Sequence, residues 1–220
     1  MRSEIETLKT WITESDNIVF FGGAGVSTES GIPDFRSTDG LYHQKFDYPP
    51  ETILSHTFFY QNPEYFFRFY REKMLPLDYQ PNEAHKKLAA LEQAGKLRAI
   101  VTQNIDDLHE RAGSTHVTHL HGELRKLRSS ADESLVVPIE GWEQHLDDRA
   151  PDGSLLRPFV VFFGEGVPMF DRAARIAATA DLLIVVGTSL AVYPAASLVR
   201  YIRPDVPVYL IDPNEPDMSG

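Results

Sequence analysis

The sequence predicts an α/β protein: a doubly wound, Rossmann-like parallel sheet of about six strands, with a small accessory lobe. Three observations carry that expectation. Short apolar runs alternate with helical periodicities along most of the chain, the pattern left by βαβ units. The first apolar run, Ile18-Val19-Phe20-Phe21, leads straight into the glycine-rich turn Gly22-Gly23-Ala24-Gly25, as at the end of a nucleotide-binding strand. The length of 220 residues suits one core with an appended lobe.

Taken in order, Ile5, Leu8, Trp11 and Ile12 give residues 3–15 a single apolar stripe, which reads as an entry helix. Residues 18–21 form the first strand. Asn82 can cap a helix over 83–94, with Ala84, Leu88 and Leu91 inward and Gly95 ending it. A strand over 97–101, a short helix over 106–112 closed by Gly113 and a strand over 117–120 follow. Strands over 159–163, 182–186 and 208–211 complete the predicted sheet. Two stretches break the rhythm. Residues 37–80 are dense in aromatics, among them Phe58, Phe59, Phe66, Phe67, Phe69 and Tyr70, and read as a loop plus a helical lobe. Residues 124–157 are charged and punctuated by Pro138, Pro151 and Gly153, with one helix-like segment near 140–148. The expected organisation is a single unit over 1–220. Its core spans 1–36, 82–123 and 158–213, and its lobe comes from 37–81 and 124–157.

Composition narrows the function. A net charge of −11 argues against a nucleic-acid partner, since phosphate binding needs clustered cations. The chain has no cysteine, which excludes disulfides and agrees with a reducing compartment. No apolar run reaches membrane-spanning length and Met1-Arg2-Ser3-Glu4 opens no signal peptide. The expectation is a cytoplasmic protein without a membrane partner. Oligomeric state is not legible.

The candidate chemistry clusters after the strands. Gly23-x-Gly25 is a weak dinucleotide signal by itself, because Thr28 stands where a third glycine would be. Its continuation, Pro33-Asp34-Phe35-Arg36, sets an acid, a ring and a guanidinium just past the loop. Thr102-Gln103-Asn104-Ile105-Asp106 follows the second core strand, where Asp106 could equally cap the next helix. His121 ends another strand, where its near-neutral pKa suits proton transfer. His116-x-x-His119-x-His121 allows a rival reading as a metal-dependent hydrolase, since His-x-His on a strand places two imidazoles on one face. No nearby acid pattern completes such a site, so no bound metal is expected.

The run Gly23-Ala24-Gly25-Val26-Ser27 to Arg36-Ser37 resembles the sirtuin family of NAD-dependent protein-lysine deacylases. So do Thr102–Asp106, His121-Gly122-Glu123, Arg157-Pro158 with Val160–Glu165, Gly187-Thr188-Ser189-Leu190 and Val192–Ala196, in the family's order. The resemblance implies NAD as cofactor and an acylated-lysine protein or peptide as partner. It also implies His121 as general base. Gly23, Ala24, Gly25, Asp34, Phe35, Arg36, Gln103, Asn104, Ile105, Asp106, Gly187, Thr188, Ser189 and Asp212 become expected cofactor contacts, with Asn104 and Asp106 toward nicotinamide. Val161, Phe162, Phe163 and Val192 become expected substrate contacts, with 161–163 also offering an edge for peptide strand pairing. The chain departs from the family in lacking four zinc-binding cysteines, which leaves residues 124–157 to be held by packing. Asp107 stands where glycine is commonest and is expected to face solvent. Phe67 and Tyr70 fall at the places of a carboxylate-binding Tyr-x-x-Arg pair, with Arg68 and Arg71 out of phase, so neutral acyl groups are expected. An NAD glycohydrolase or ADP-ribosyltransferase on the same fold is the nearest alternative.

Overall fold

The computed structural model describes residues 2–34, 40, 44–75, 78–139 and 148–212. Helix α1 (Arg2–Glu14) leads into β1 (Ile18–Gly22), followed by two turns of 3-10 helix, Ala24–Val26 and Thr28–Ser30. Helices α2 (Pro50–Ile53), α3 (His56–Gln61) and α4 (Pro63–Phe69) precede a π-helical turn over Tyr70–Met74. Then come α5 (Glu83–Gln93), β2 (Leu97–Thr102), α6 (Leu108–Arg111), β3 (Val117–His119), β4 (Gly122–Ser129), β5 (Val136–Pro138) and β6 (Leu156–Val160). Helix α7 (Phe170–Thr179), β7 (Leu182–Val186), a 3-10 helix over Ala195–Tyr201 and β8 (Val208–Ile211) complete the chain.

Five strands form the parallel sheet, in the order β3-β2-β1-β7-β8. The central strand is buried at every position, because helices cover both faces. Ile18 and Phe20 face a layer with Leu8, Trp11 and Leu88, while Val19 and Phe21 face Ala173, Ala177 and Leu198. Strand geometry requires that alternation. The fold class expected from the sequence is the one observed. One strand is reassigned: 159–163 does not join the parallel sheet. Its first part belongs to β6, which pairs antiparallel with β4 in a separate sheet ordered β5-β4-β6. The expected core segment 158–213 therefore begins in lobe structure.

The two off-rhythm stretches pack on each other. Phe59, Phe66, Phe67 and Tyr70 share a buried cluster with Leu124, Val160 and Phe162. Most ring pairs there are edge-to-face, as at Phe59–Phe66 (5.0 Å, 87°), the arrangement that aromatic quadrupoles favour. Leu127, Ile139, Ala150 and Leu156 fill the far side of the small sheet, so packing holds this region as expected. The helix expected near 140–148 falls on residues outside those described, apart from Asp148. Ile5 is half exposed rather than part of the α1 stripe. Among the described residues no helix is long and apolar enough to cross a membrane.

Candidate active site

A cleft of about 990 Å³ opens where β1, β2 and β7 end, roofed by the aromatic lobe. Every nominated residue within the described chain lines it: Gly23, Ala24, Gly25, Asp34, Gln103 to Asp106, His121, Val161 to Phe163, Gly187 to Ser189, Val192 and Asp212. Phe35 and Arg36 lie outside the described residues. Parallel connections place successive strand ends along one rim, so segments far apart in sequence converge there.

The glycine loop works differently from the expectation. Within the described residues 23–34 the chain makes two 3-10 turns and no α-helix. The amides of Gly23 and Gly25 donate to the carbonyls of Val186 (3.0 Å) and Gly187 (2.9 Å), so they do not present free N–H groups to a phosphate. The glycines instead allow close backbone approach. A Cβ on Gly25 would stand 2.7 Å from the Gly187 Cα, and one on Gly187 2.6 Å from the Gly25 carbonyl carbon. The loops after β1 and β7 thus interlock and make the cleft floor.

Gln103 ties the second loop to the same floor, its Nε2 donating to Thr188 Oγ1 at 2.8 Å. Ser27 then connects loop to loop. Its hydroxyl donates to Asp106 Oδ2 (2.9 Å) and accepts from Asn104 Nδ2 (3.0 Å). Asp106 Oδ1 accepts from the Leu108 amide at 3.1 Å, so Asp106 also begins the turn into α6. Burial pushes its carboxyl above the usual range, opposed by those hydrogen bonds. Behind it, His85 Nδ1 accepts from the Asn82 amide (3.2 Å), closing a capping box at α5. Burial holds His85 down to about 4. Ser27 and His85 were not nominated. Only the Asn82-x-x-His85 spacing hinted at the second.

His121 sits between β3 and β4. Its Nδ1 lies 3.0 Å from the Gln103 carbonyl oxygen, which can only accept. The neutral ring therefore carries its hydrogen on Nδ1 and leaves Nε2 as an acceptor. Burial lowers its pKa from 6.5, against a small opposing effect of the Gln103 hydrogen bond. Its carbonyl accepts from the Val161 amide at 2.8 Å, linking the histidine to the opposite wall. The metal reading finds no geometry. His116 Nδ1 meets Glu92 at 2.7 Å, His119 faces Asn104 and Glu110, and His121 faces Gln103. No metal-holding group of three such side chains occurs among the described residues.

The lobe wall brings further corrections. Phe162 is buried and packs on Phe59 and Phe66, so its ring serves the core more than the cleft. Phe163 is exposed, but both its backbone groups pair inside the molecule: its amide with Leu54 O and its carbonyl with the His56 amide, each at 3.0 Å. It offers no free edge for an added strand. Arg157, unnominated and 3% exposed, grips Glu165 through two nitrogens (2.7 and 3.0 Å) above the Phe162 ring. Glu165 in turn accepts from the Phe162 amide (2.9 Å), fixing the 161–165 loop. Asp107 does not face open solvent. It pairs with Arg125 Nε and approaches Arg111 at 3.9 Å, inside the cleft lining. Phe67 and Tyr70 are fully buried, Arg68 stacks over Tyr65 at 4.6 Å, and the lobe's own cation in the cleft lining is Lys73, beside Arg111 and Arg125, which are engaged with Asp107.

The Sir2 family matches residues 23–194, and the chain belongs to that family. It is 50% identical over 209 residues to an NAD-dependent protein deacetylase of Clostridium acetobutylicum, covering 91% of this chain and 84% of the relative. An NAD-dependent protein deacylase of Aggregatibacter actinomycetemcomitans is 45% identical over 197 residues, covering 89% and 92%. Among solved structures, a Sir2 homologue–NAD complex superposes with a TM-score of 0.88 at 43% identity, covering 96% of this chain and 84% of that one.

Proposed function

We propose that this protein removes acyl groups from protein lysine side chains in an NAD-dependent reaction that takes up one water and yields free lysine, nicotinamide and O-acyl-ADP-ribose. The observation that carries the reading is His121. It projects into the cleft with its tautomer fixed by Gln103 and its pKa lowered by burial, so a proton acceptor is ready at neutral pH.

NAD fits the residues present: a cleft of about 990 Å³ exceeds what most small ligands need, and its floor offers hydroxyls, amides and carboxylates from four strand ends. NAD, when bound, supplies a ribose carbon that gives up nicotinamide and takes the acyl oxygen. Ala24, Gly187, Thr188 and Ser189 line the phosphate and ribose side of the site. Asn104 and Asp106, held by Ser27, recognise the carboxamide through paired donors and acceptors. Asp212, at the cleft edge after β8, would accept a hydrogen bond from an adenosine ribose hydroxyl. His121 Nε2 would take the proton from a ribose hydroxyl of bound NAD. Val161, Phe163 and Val192 face the acyl-lysine, with Phe162 supporting them from behind. The Phe162 and Phe163 side is apolar, so acetyl and longer neutral acyl groups are preferred, with Lys73 a lobe cation that tempers the bias while Arg111 and Arg125 are held by Asp107.

Mass spectrometry of an acetyl-lysine peptide, with and without NAD, tests this. Deacetylation that requires NAD is expected. Nicotinamide release without deacetylation would replace the reading with NAD glycohydrolysis or ADP-ribosyl transfer.

A further inference from the structure

His119 and Glu110 have no role in the account above. His119 closes β3 and turns its ring toward the loop after β2. Nδ1 lies 3.0 Å from the Asn104 carbonyl oxygen, and Nε2 lies 2.7 Å from Glu110 Oε1. A carbonyl oxygen accepts only, and so does an ionised carboxylate; Glu110 is partly exposed, and although burial raises its pKa, its hydrogen bond to His119 and the His119 charge, with smaller contributions, together hold it below the usual carboxylate range. Both ring nitrogens therefore carry hydrogen. Resting on the functional reading above, we propose that His119 is a positioning residue, a buried imidazolium kept charged by Glu110 that holds the Asn104 carbonyl and so sets the Gln103–Asp106 turn for NAD.

The next carbonyl back, that of Gln103, is held by His121 Nδ1 at the same 3.0 Å. Two histidines, two residues apart on one strand end, thus grip consecutive carbonyls of one turn. The arrangement couples the two rings. If His119 releases Asn104, the turn that fixes the His121 tautomer and aims the Asn104 side chain loses a restraint.

The other titratable groups around His119 are Glu123 on β4, Asp106 in the turn and His109 on α6. Burial disfavours the charge, but the hydrogen bond and charge of Glu110, the Asn104 carbonyl and Glu123 together outweigh it, and the His119 pKa rises above 6.5. His109 stays neutral, burial holding it near 3. The sign follows. As pH climbs through the raised pKa, Nε2 loses its hydrogen and a bare lone pair faces the Glu110 carboxylate. The contact turns repulsive and the turn loosens. Glu110→Gln removes that penalty, because a carboxamide can donate to the bare nitrogen while Nδ1–H still holds Asn104.

Two measurements on the full chain decide it: nitrogen-detected NMR of the histidine rings, and calorimetric NAD binding from about pH 6 to about pH 9, a window moved upward from the ordinary histidine range because the His119 pKa is raised. In the wild type both His119 nitrogens should be protonated at neutral pH. NAD affinity should weaken by about tenfold toward the alkaline end, the worth of one hydrogen bond to a charged group. In E110Q the ring should be neutral and the affinity flat with pH. A singly protonated His119 at neutral pH in the wild type, or the same alkaline loss in E110Q, overturns the proposal. Neither readout needs turnover, so a failure to deacylate counts against the functional reading alone.

Discussion

His121 is set apart from its neighbours by a single nitrogen. His119 has both ring nitrogens engaged and His116 lies exposed outside the cleft, whereas His121 keeps Nε2 available within it. His121→Ala is expected to lower deacylation by about 10²- to 10⁴-fold while leaving NAD binding within a few-fold, checked by peptide turnover and calorimetry side by side. Because burial holds its pKa below 6.5, the neutral base survives into mildly acid solution. The acid limb of kcat/KM should therefore fall below 6.5, and a limb above it would assign the base elsewhere. Lys73 bears on acyl choice. A buried carboxylate without a cation costs several kcal/mol, and Lys73 is a cation at the cleft. Acetyl-lysine should exceed succinyl-lysine in kcat/KM, and Lys73→Ala should widen that ratio by weakening the succinyl reaction more. At this scale the sequence located strand-end residues well, since ligand groups in open α/β sheets gather there. It could not find Lys73, whose approach depends on the π-helical turn over Tyr70–Met74, nor Ser27, whose partners lie 77 and 79 positions away.

Elements were legible where burial was complete. Runs such as Leu182-Leu183-Ile184-Val185-Val186 are apolar throughout because both faces of a parallel sheet are covered. Strand β4 escaped notice because Gly122-Glu123-Leu124-Arg125-Lys126-Leu127-Arg128-Ser129 has charges at half-buried positions and no clean alternation. The role of the turn after β1 is not legible in its glycine spacing, because the Gly23 and Gly25 amides satisfy carbonyls of the β7 end, a partner more than 160 positions away. Gly122 is the tightest joint between elements. It holds φ at +84°, and a Cβ there would lie 2.0 Å from the Phe159 carbonyl oxygen. Gly122→Ala should force β4 from β6 and cost on the order of 3 kcal/mol or more, counting strain and lost pairing. Chemical denaturation measures it, and a loss under about 1 kcal/mol would show that the strands can part there cheaply.

For the molecule as a whole, acid is the expected weakness. His85 and His109 are buried and neutral, with burial holding them near 4 and 3 against 6.5 in an unfolded chain. Between those values the unfolded chain binds protons that the native state refuses, so stability must fall as pH drops from neutrality toward 4. Neither ring nitrogen of His109 meets a partner among the described residues. His109→Leu should flatten that decline without lowering neutral-pH stability, as read by thermal unfolding across pH. A large loss at neutral pH would mean that the ring makes hydrogen bonds after all. With no cysteine in the chain, the lobe should also withstand chelation. Incubation with a chelator is expected to leave the unfolding midpoint unchanged, and a drop would expose a structural metal.

The interlocked loops at Gly25 and Gly187 have a consequence for biosynthesis. As the chain leaves the ribosome, β1 and β2 can pair early, and His121 is present long before the site is complete. The floor of the cleft still lacks one side until residue 187 emerges, and the lobe wall waits for Phe163 to bridge back to Leu54 and His56. Contacts that span so much chain close late and together. A nascent protein would therefore hold its candidate catalytic groups without a pocket, and gain the complete cleft in one step once residues 163–187 dock.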